Sequence, residues 1–376
     1  MSTLAPKANS ATDSTTTRLQ DPPSSKLTPL FIAAVLVCVS SVVLALFARG
    51  PLSSLFRTAA PGASSPASIA STTIRKSVAT PLSLMASSDS ALPDNSAAQN
   101  RTPVYFFSHG GPTFMYSDKD SDGGDLGAFN TLRKIGKEIV EKVKPKAVVV
   151  FSAHWQSSKD TIEVNSAEIT DLIYDFYGFP SYMYKEEYPN VGSQSVAQKV
   201  INQLQASGIK AKAVNRGLDH GVWVPFKVAF PPETNPLKVP VIQVSLFKTE
   251  DPNQHVALGK ALAPLRDENI LIIGSGMTVH NLREMGYYWG SVAPYAKKFD
   301  TMVENAVEYT GEQRENALAG LIKTSEANKA HPTKEHLLPI YIAAGAAYNE
   351  KGTLLYTSQT SSLAWGEYRF GAAPKN

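Results

Sequence analysis

From residue 103 onward, short runs rich in β-branched residues alternate with longer amphipathic segments. This alternation is typical of an α/β fold in which helices flank a central, largely buried sheet. The predicted strands are Val104–Phe107, Ala147–Ser152, Ile162–Val164, Lys210–Val214, Val239–Val244 and Ile270–Ile273. The predicted helices are Phe129–Val143, Val191–Ser207, Val256–Leu265, Tyr295–Glu308, Glu312–Lys323 and Glu335–Ala347.

The first hundred residues have a different composition. They hold 11 of the 69 charged side chains, 3 of the 34 aromatic ones and none of the seven histidines, but they contain 19 serines. A segment with so few large apolar side chains does not build a core. We therefore predict a single globular domain over residues 103–376, behind a disordered tail (1–26), a membrane-spanning or signal-anchor helix (27–48) and a Ser/Ala-rich linker or transit-like segment (49–102).

The predicted anchor is the run from Leu27 to Ala48, which has 22 residues and no charge. At about 1.5 Å per residue a helix of this length crosses a hydrocarbon core of about 30 Å, so the sequence predicts a single-pass membrane protein. Residues 50–88 contain basic but no acidic side chains and are rich in Ser, Ala and Thr. A plastid or mitochondrial transit peptide has the same composition, so an organelle reached after leader cleavage is the alternative localisation.

Charge and cysteine usage exclude several classes of function for residues 101–376. This part of the chain has 29 basic and 29 acidic residues, so it lacks the basic field that nucleic-acid binding requires. The one cysteine, Cys38, lies in the leader, which excludes disulfides, thiolate metal sites and a cysteine nucleophile from the globular part. A metal there must be bound by His, Asp or Glu. The sequence permits a homodimer without requiring one.

Three histidines follow predicted strands. His109 and His154 each come two residues after a strand, and His280 lies just beyond Ile270–Ile273. Open α/β sheets bind ligands at the carboxyl ends of their strands, so these imidazoles are expected at one crevice. His220 follows Asp219 in a turn-rich segment and is predicted to join them. Imidazoles gathered in this way suit a divalent transition metal.

A flat aromatic substrate is predicted from the residues around these histidines. The segment 175–180 is aromatic and loop-like, and its side chains either line a pocket for a planar ligand or cap the core; the pocket is the preferred interpretation. The motif that runs from His331 to His336 is expected to place one or two further imidazoles near the crevice. The predicted substrate contacts are Trp155, Tyr177, Trp223, His331 and His336.

Taken together, these motifs resemble the class III extradiol ring-cleaving dioxygenases, in the branch that includes 4,5-DOPA dioxygenase and its bacterial relatives. The likeness extends from about Pro103 to about Phe370. It rests on Ser108-His109-Gly110-Gly111-Pro112, Ser152-Ala153-His154-Trp155, Asp175 to Pro180, Leu218-Asp219-His220-Gly221, Gly274 to Asn281, His331-Pro332 and Glu335-His336.

The resemblance implies an enzyme that inserts O₂ into a DOPA-like or related catechol and opens the ring next to a hydroxyl-bearing carbon. It implies one divalent metal ion per chain, held by His109, His154, His220 and His280, with His220 as either a ligand or the residue that transfers protons. Fe(II) suits oxygen activation, whereas Zn²⁺ on the same histidines indicates a hydrolase or a non-catalytic metal-binding scaffold.

Overall fold

The structure, a computed structural model, describes residues 101–119 and 124–374. These residues form an eight-stranded sheet with the order β4-β3-β5-β2-β6-β1-β11-β8, and a small antiparallel sheet with the order β7-β10-β9. The strands are β1 (Val104–Ser108), β2 (Ala147–Gln156), β3 (Thr161–Asn165), β4 (Lys210–Val214), β5 (Val241–Leu246), β6 (Ile270–Gly276), β7 (Val279–His280), β8 (Gly352–Tyr356), β9 (Gln359–Thr360), β10 (Leu363–Ala364) and β11 (Glu367–Phe370).

Eight α-helices are present in the described part of the chain. They are α1 (Leu126–Glu138), α2 (Gln194–Ala206), α3 (His220–Ala229), α4 (Pro252–Leu262), α5 (Pro294–Glu308), α6 (Gly311–Leu321), α7 (Ser325–Ala330) and α8 (Leu338–Ala346). A π-helical turn, Ile139–Val143, extends α1, and 3₁₀ turns lie at Pro112–Lys119, Ser181–Lys185 and Ala263–Glu268.

The middle of the large sheet is parallel and apolar. β5, β2, β6 and β1 pair in parallel, and almost every side chain of these strands is buried. Because successive strand residues point to opposite faces, Phe106 and Val149 pack in one core while Phe107 and Val150 pack in the other. Helices therefore cover both faces, as the continuous apolar strands predict.

Helix α8 is buried along its whole length and reaches the sheet through glycines. A Cβ on Gly345 would lie 2.2 Å from the carbonyl oxygen of Val256, and one on Gly259 would lie 2.1 Å from that of Ile342, so the backbones of α4 and α8 are in contact. On β6, Gly274 packs in the same way against the Pro339 carbonyl. This close packing brings the segment that precedes α8, which includes His336, to the end of the central strand.

The α/β prediction is confirmed, with a large central sheet flanked by helices. The sequence-based analysis placed Lys210–Val214 correctly, but ended the second strand at Ser152, whereas β2 continues to Gln156. It did not predict α3, because Pro225 and the turn-forming residues around His220 argue against a helix. The short strands β7–β11 were also not predicted.

The prediction of a membrane protein needs correction. Within residues 101–119 and 124–374, no helix combines the length and the apolar character needed to cross a membrane. The longest, α5, has 15 residues and is about 22 Å long, which is less than a hydrocarbon core of about 30 Å. The segment 27–48, on which a single-pass anchor was predicted, lies outside the described residues, as do the tail and the transit-like residues up to 100. A membrane location is therefore not supported.

Candidate metal centre

The candidate site lies at the carboxyl ends of three neighbouring parallel strands. His109 directly follows β1, and His154 lies near the end of β2. The central strand β6 runs between these two and carries Ser275, which is in register with Phe107 on one side and Ser152 on the other. The strand order thus brings side chains from distant parts of the chain to one edge of the sheet.

Three imidazoles meet at this edge. The Nε2 atom of His154 is 3.0 Å from Nε2 of His109 and 3.2 Å from Nε2 of His336. One ring nitrogen from each of the three lies within 4.8 Å of the others, which is close enough to share a metal ion. Two nitrogens that bind one ion at about 2.1 Å and at right angles are about 3.0 Å apart, so the observed spacing fits a metal centre.

The neighbours of two of these rings fix which nitrogen carries the proton. The Ser275 hydroxyl donates its only proton to the Gly221 carbonyl, so it must accept from Nδ1–H of His109 at 2.9 Å. A carboxylate oxygen of Glu335 accepts from Nδ1–H of His336 at 3.0 Å. In both histidines the lone pair is therefore on Nε2, the atom that faces His154.

Burial keeps these imidazoles uncharged. Burial, reinforced by the neighbouring imidazoles, lowers the pKa values of His109, His154 and His336 well below the ordinary value of 6.5. For His154 a nearby carboxylate, Asp175, opposes this effect without reversing it. Neutral imidazole is the form that binds metals, and the lone pairs of His109 and His336 are both directed toward Nε2 of His154. The three residues therefore fit a divalent transition metal.

His220 is held by a carboxylate from a different segment. It is the first residue of α3, and Asp175 Oδ1 accepts hydrogen bonds from its Nδ1, at 2.8 Å, and from its backbone N–H, at 3.0 Å. Asp175 Oδ2 lies 3.6 Å from Nδ1 of His154, and the rings of His154 and His220 are 3.9 Å apart. Burial raises the pKa of Asp175, but the hydrogen bonds that it accepts from the side chain and backbone of His220, with the neighbouring His154, outweigh burial and lower the pKa to about 2.

Asp219, which directly precedes His220 in the sequence, has other partners. It is fully buried and accepts hydrogen bonds from Ser152, Gln243 and Arg216. Ser152 Oγ in turn accepts from the backbone N–H of His154 at 3.1 Å. Asp219 therefore fixes the end of β2 through Ser152, whose hydroxyl also bonds to the backbone of His154. The carboxylate that bonds to His220 is that of Asp175.

His280 lies next to His336 and is not one of the three histidines whose Nε2 atoms meet. Its ring stacks on that of His336, with centroids 3.6 Å apart and planes 12° apart. Burial, together with the neighbouring His220, lowers its pKa to about 4. The structure thus brings His109 and His154 together with His336, whereas His220 groups with His154 and Asp175, and His280 groups with Glu335 and His336.

The residues predicted to contact substrate occupy different environments. His336 belongs to the central group, and Tyr177 is 87% exposed beside Gly178, whose φ of +82° forms a turn that favours glycine. Trp155 is buried with the Arg216 guanidinium 4.5 Å from its ring.

Trp223 and His331 lie in the interior instead. The Trp223 indole N–H donates to the Ile173 carbonyl, and Nε2 of His331 donates to the Thr278 carbonyl. Both side chains are 0% exposed, so the structure places them beneath the site rather than at its surface.

Three residues around the site were not recognised as functional from the sequence. Asp175 was noted only as part of an aromatic loop, Glu335 only as a neighbour of His336, and Ser275 only as part of a glycine-flanked motif. Their partners lie 45 residues away for Asp175 and 166 residues away for Ser275, so no local pattern identifies them. For Glu335 the sequence did offer a signal, because a carboxylate directly before a histidine can orient that histidine's ring.

The family model described as "Catalytic LigB subunit of aromatic ring-opening dioxygenase" matches residues 103–369. The chain is 36% identical over 275 residues to 4,5-DOPA dioxygenase extradiol of Beta vulgaris, covering 72% of this chain and 97% of that protein. It is also 36% identical over 266 residues to a 4,5-DOPA dioxygenase extradiol-like protein of Schizosaccharomyces pombe, covering 67% and 87%. A crystal structure of an uncharacterized protein from Escherichia coli K12 superposes with a TM-score of 0.57 at 27% identity, over 72% of this chain and all of that one.

Proposed function

Because this chain belongs to the LigB family of aromatic ring-opening dioxygenases, we propose that it is a metal-dependent extradiol dioxygenase that opens the ring of a catechol. The proposed reaction inserts O₂ into a DOPA-like or related aromatic diol next to a hydroxyl-bearing carbon. The names of the relatives from Beta vulgaris and Schizosaccharomyces pombe support a DOPA-like substrate. The observation that carries the proposal is the convergence of three neutral imidazoles on one point at the end of the sheet.

The proposed metal ligands are His109, His154 and His336. An Fe(II) ion held by these three nitrogens would leave open positions for both catechol oxygens and O₂, and it would relay electrons from the bound catechol, which is oxidised, to O₂. The chain itself supplies a neutral donor set, because Ser275 and Glu335 direct the lone pairs of His109 and His336 inward. That His220 and His280 are also ligands remains a prediction.

His220 is the proposed acid/base residue. Its Nδ1 is occupied by Asp175, which leaves Nε2 free to accept a proton from a catechol hydroxyl and to return it as the ring opens. The rings of Phe176 and His220 are 5.8 Å apart and nearly perpendicular, and Phe179 lies 3.4 Å from the position of a Cβ on Gly111. In this proposal the aromatic side chains provide a surface against which the planar ring of the substrate packs.

The test is reconstitution of the full-length protein with Fe(II) under anaerobic conditions, followed by addition of L-DOPA or another catechol and then O₂. We expect uptake of one O₂ per catechol consumed and a yellow ring-opened product. Zn²⁺ reconstitution is the matched control, because Zn²⁺ fits the same nitrogens but has no redox chemistry. Activity with Zn²⁺, or loss of catechol without O₂ uptake, would contradict the proposal and favour a zinc hydrolase or a binding scaffold.

A further inference from the structure

Asp175 contacts two histidines of the site at the same time. Oδ1 accepts hydrogen bonds from the side chain and from the backbone of His220, at 2.8 and 3.0 Å, and Oδ2 lies 3.6 Å from Nδ1 of His154. The carboxylate is on the aromatic segment between β3 and α2, whereas the histidines are on α3 and β2. One side chain therefore connects three separate segments at the edge of the metal centre.

These contacts determine the chemical form of the His220 ring. A carboxylate oxygen accepts hydrogen bonds and donates none, so the proton of neutral His220 is on Nδ1 and its lone pair is on Nε2. The second bond, to the backbone N–H of the same residue, fixes Asp175 relative to the start of α3. Asp219, in the N-cap position, makes no such bond to the helix, so within residues 101–119 and 124–374 the side-chain acceptor at His220 is Asp175. The ring has a fixed tautomer and a fixed direction.

We propose that Asp175 is a positioning residue, which holds His220 in the Nδ1–H tautomer with its ring against that of His154. The catalytic consequence rests on the proposed function, because Asp175 acts through His220 and does not itself touch the reacting atoms. A partner that orients a histidine in this way typically contributes about 10- to 100-fold to activity or metal affinity. The carboxylate both accepts hydrogen bonds and carries a negative charge. An Asn side chain distinguishes these two roles, because its amide oxygen can accept the same hydrogen bonds without carrying charge.

The first measurement does not depend on turnover. The full-length chain is labelled with ¹⁵N-histidine, and the imidazole tautomers are read by NMR without added metal and with diamagnetic Zn²⁺; the His220 signals are identified by their loss in His220→Gln. We expect Nδ1–H in the native protein and in Asp175→Asn, and a mixture of tautomers in Asp175→Ala. Asp171→Ala is the matched control, because it removes an exposed carboxylate from the same segment. An Nε2–H tautomer in the native protein, or no change in Asp175→Ala, overturns the proposal.

The second measurement is steady-state kinetics with Fe(II) and a catechol. We expect Asp175→Ala to lower kcat about 10- to 100-fold with little change in KM, and Asp175→Asn to recover most of that loss. If Asp175→Asn is as slow as Asp175→Ala although its tautomer is intact, charge rather than position matters and the proposal is wrong. If the native protein turns over no catechol, the proposed function fails, while the tautomer measurement still decides the role of Asp175.

Discussion

Gly221, the second residue of α3, is the position where a single methyl group tests the geometry of the proposed metal centre. A Cβ there would lie 2.8 Å from Cδ2 of His154 and 3.2 Å from Cε1 of His109, and 2.4 Å from Ser152 Oγ. Cδ2 and Cε1 are both bonded to Nε2, the nitrogen that faces the proposed ion. Restoring an ordinary contact of about 3.4 Å requires the His154 ring to move by about 0.6 Å, which exceeds the tolerance of about 0.2 Å for metal–ligand distances.

We therefore expect Gly221→Ala to weaken metal binding about 10- to 100-fold, or about 1.4 to 2.7 kcal/mol, while the protein remains folded. Folding survives because a crowding cost of about 1–3 kcal/mol is partly offset by the higher helix propensity of Ala, worth about 1 kcal/mol. The assay is an anaerobic competition titration of Fe(II), with circular dichroism to check the fold.

Gly320→Ala is the control for this change. It makes the same substitution in helix α6, where a Cβ has no neighbour within 4 Å. We expect native metal affinity and slightly greater stability. If Gly221→Ala binds Fe(II) as tightly as Gly320→Ala does, the three imidazoles are not the metal site and the reasoning fails.

Three further predictions concern protons and metal. His220→Ala should keep most of its iron and lose turnover, as measured by metal analysis and O₂ uptake; complete loss of metal would instead identify His220 as a ligand. Burial lowers the pKa of His331 to about 3, so between about pH 6.5 and 3 the unfolded state binds a proton that the folded state does not, and stability falls as the pH falls. In urea unfolding, the decrease in the free energy of unfolding between pH 6.5 and 5.0 should accordingly be about 1.6 kcal/mol smaller in His331→Asn than in the native protein, and equal decreases would contradict this. Removal of the metal with a chelator should lower Tm, since an ion present at 100 times its Kd stabilises the fold by about 2.7 kcal/mol; an unchanged Tm would show that no ion was bound to the folded state.

The α/β fold followed from the sequence because apolar runs identify buried strands wherever they occur along the chain. The positions of His109 and His154 followed as well, since residues after parallel strands meet at one edge of the sheet. His336, which lies beside them in the structure, was predicted from the sequence as a substrate contact near the crevice. Its place depends on how α8 packs on β6 through Gly274, which no local pattern encodes.

Hydrogen-bond partners were the least predictable part of the site. Asp219 precedes His220 in the sequence, yet its carboxylate bonds to Ser152 and Gln243 in the interior. The carboxylate that does bond to His220 belongs to Asp175, 45 residues earlier. From the sequence alone, a neighbouring residue such as Asp219 is the obvious partner for His220. The direction of the Asp219 side chain at the start of α3 depends instead on the packing around it, which the sequence does not reveal.

The packing of the segment before α8 against the end of β6 also has a consequence for biosynthesis. His109 and His154 emerge early from the ribosome, but the third imidazole, His336, lies 182 residues after His154. A nascent chain that ends before residue 336 therefore presents two of the three converging nitrogens and cannot complete the trio. Binding of one ion by all three of these nitrogens consequently awaits nearly the whole polypeptide, and a product truncated by premature termination lacks the third of the proposed ligands.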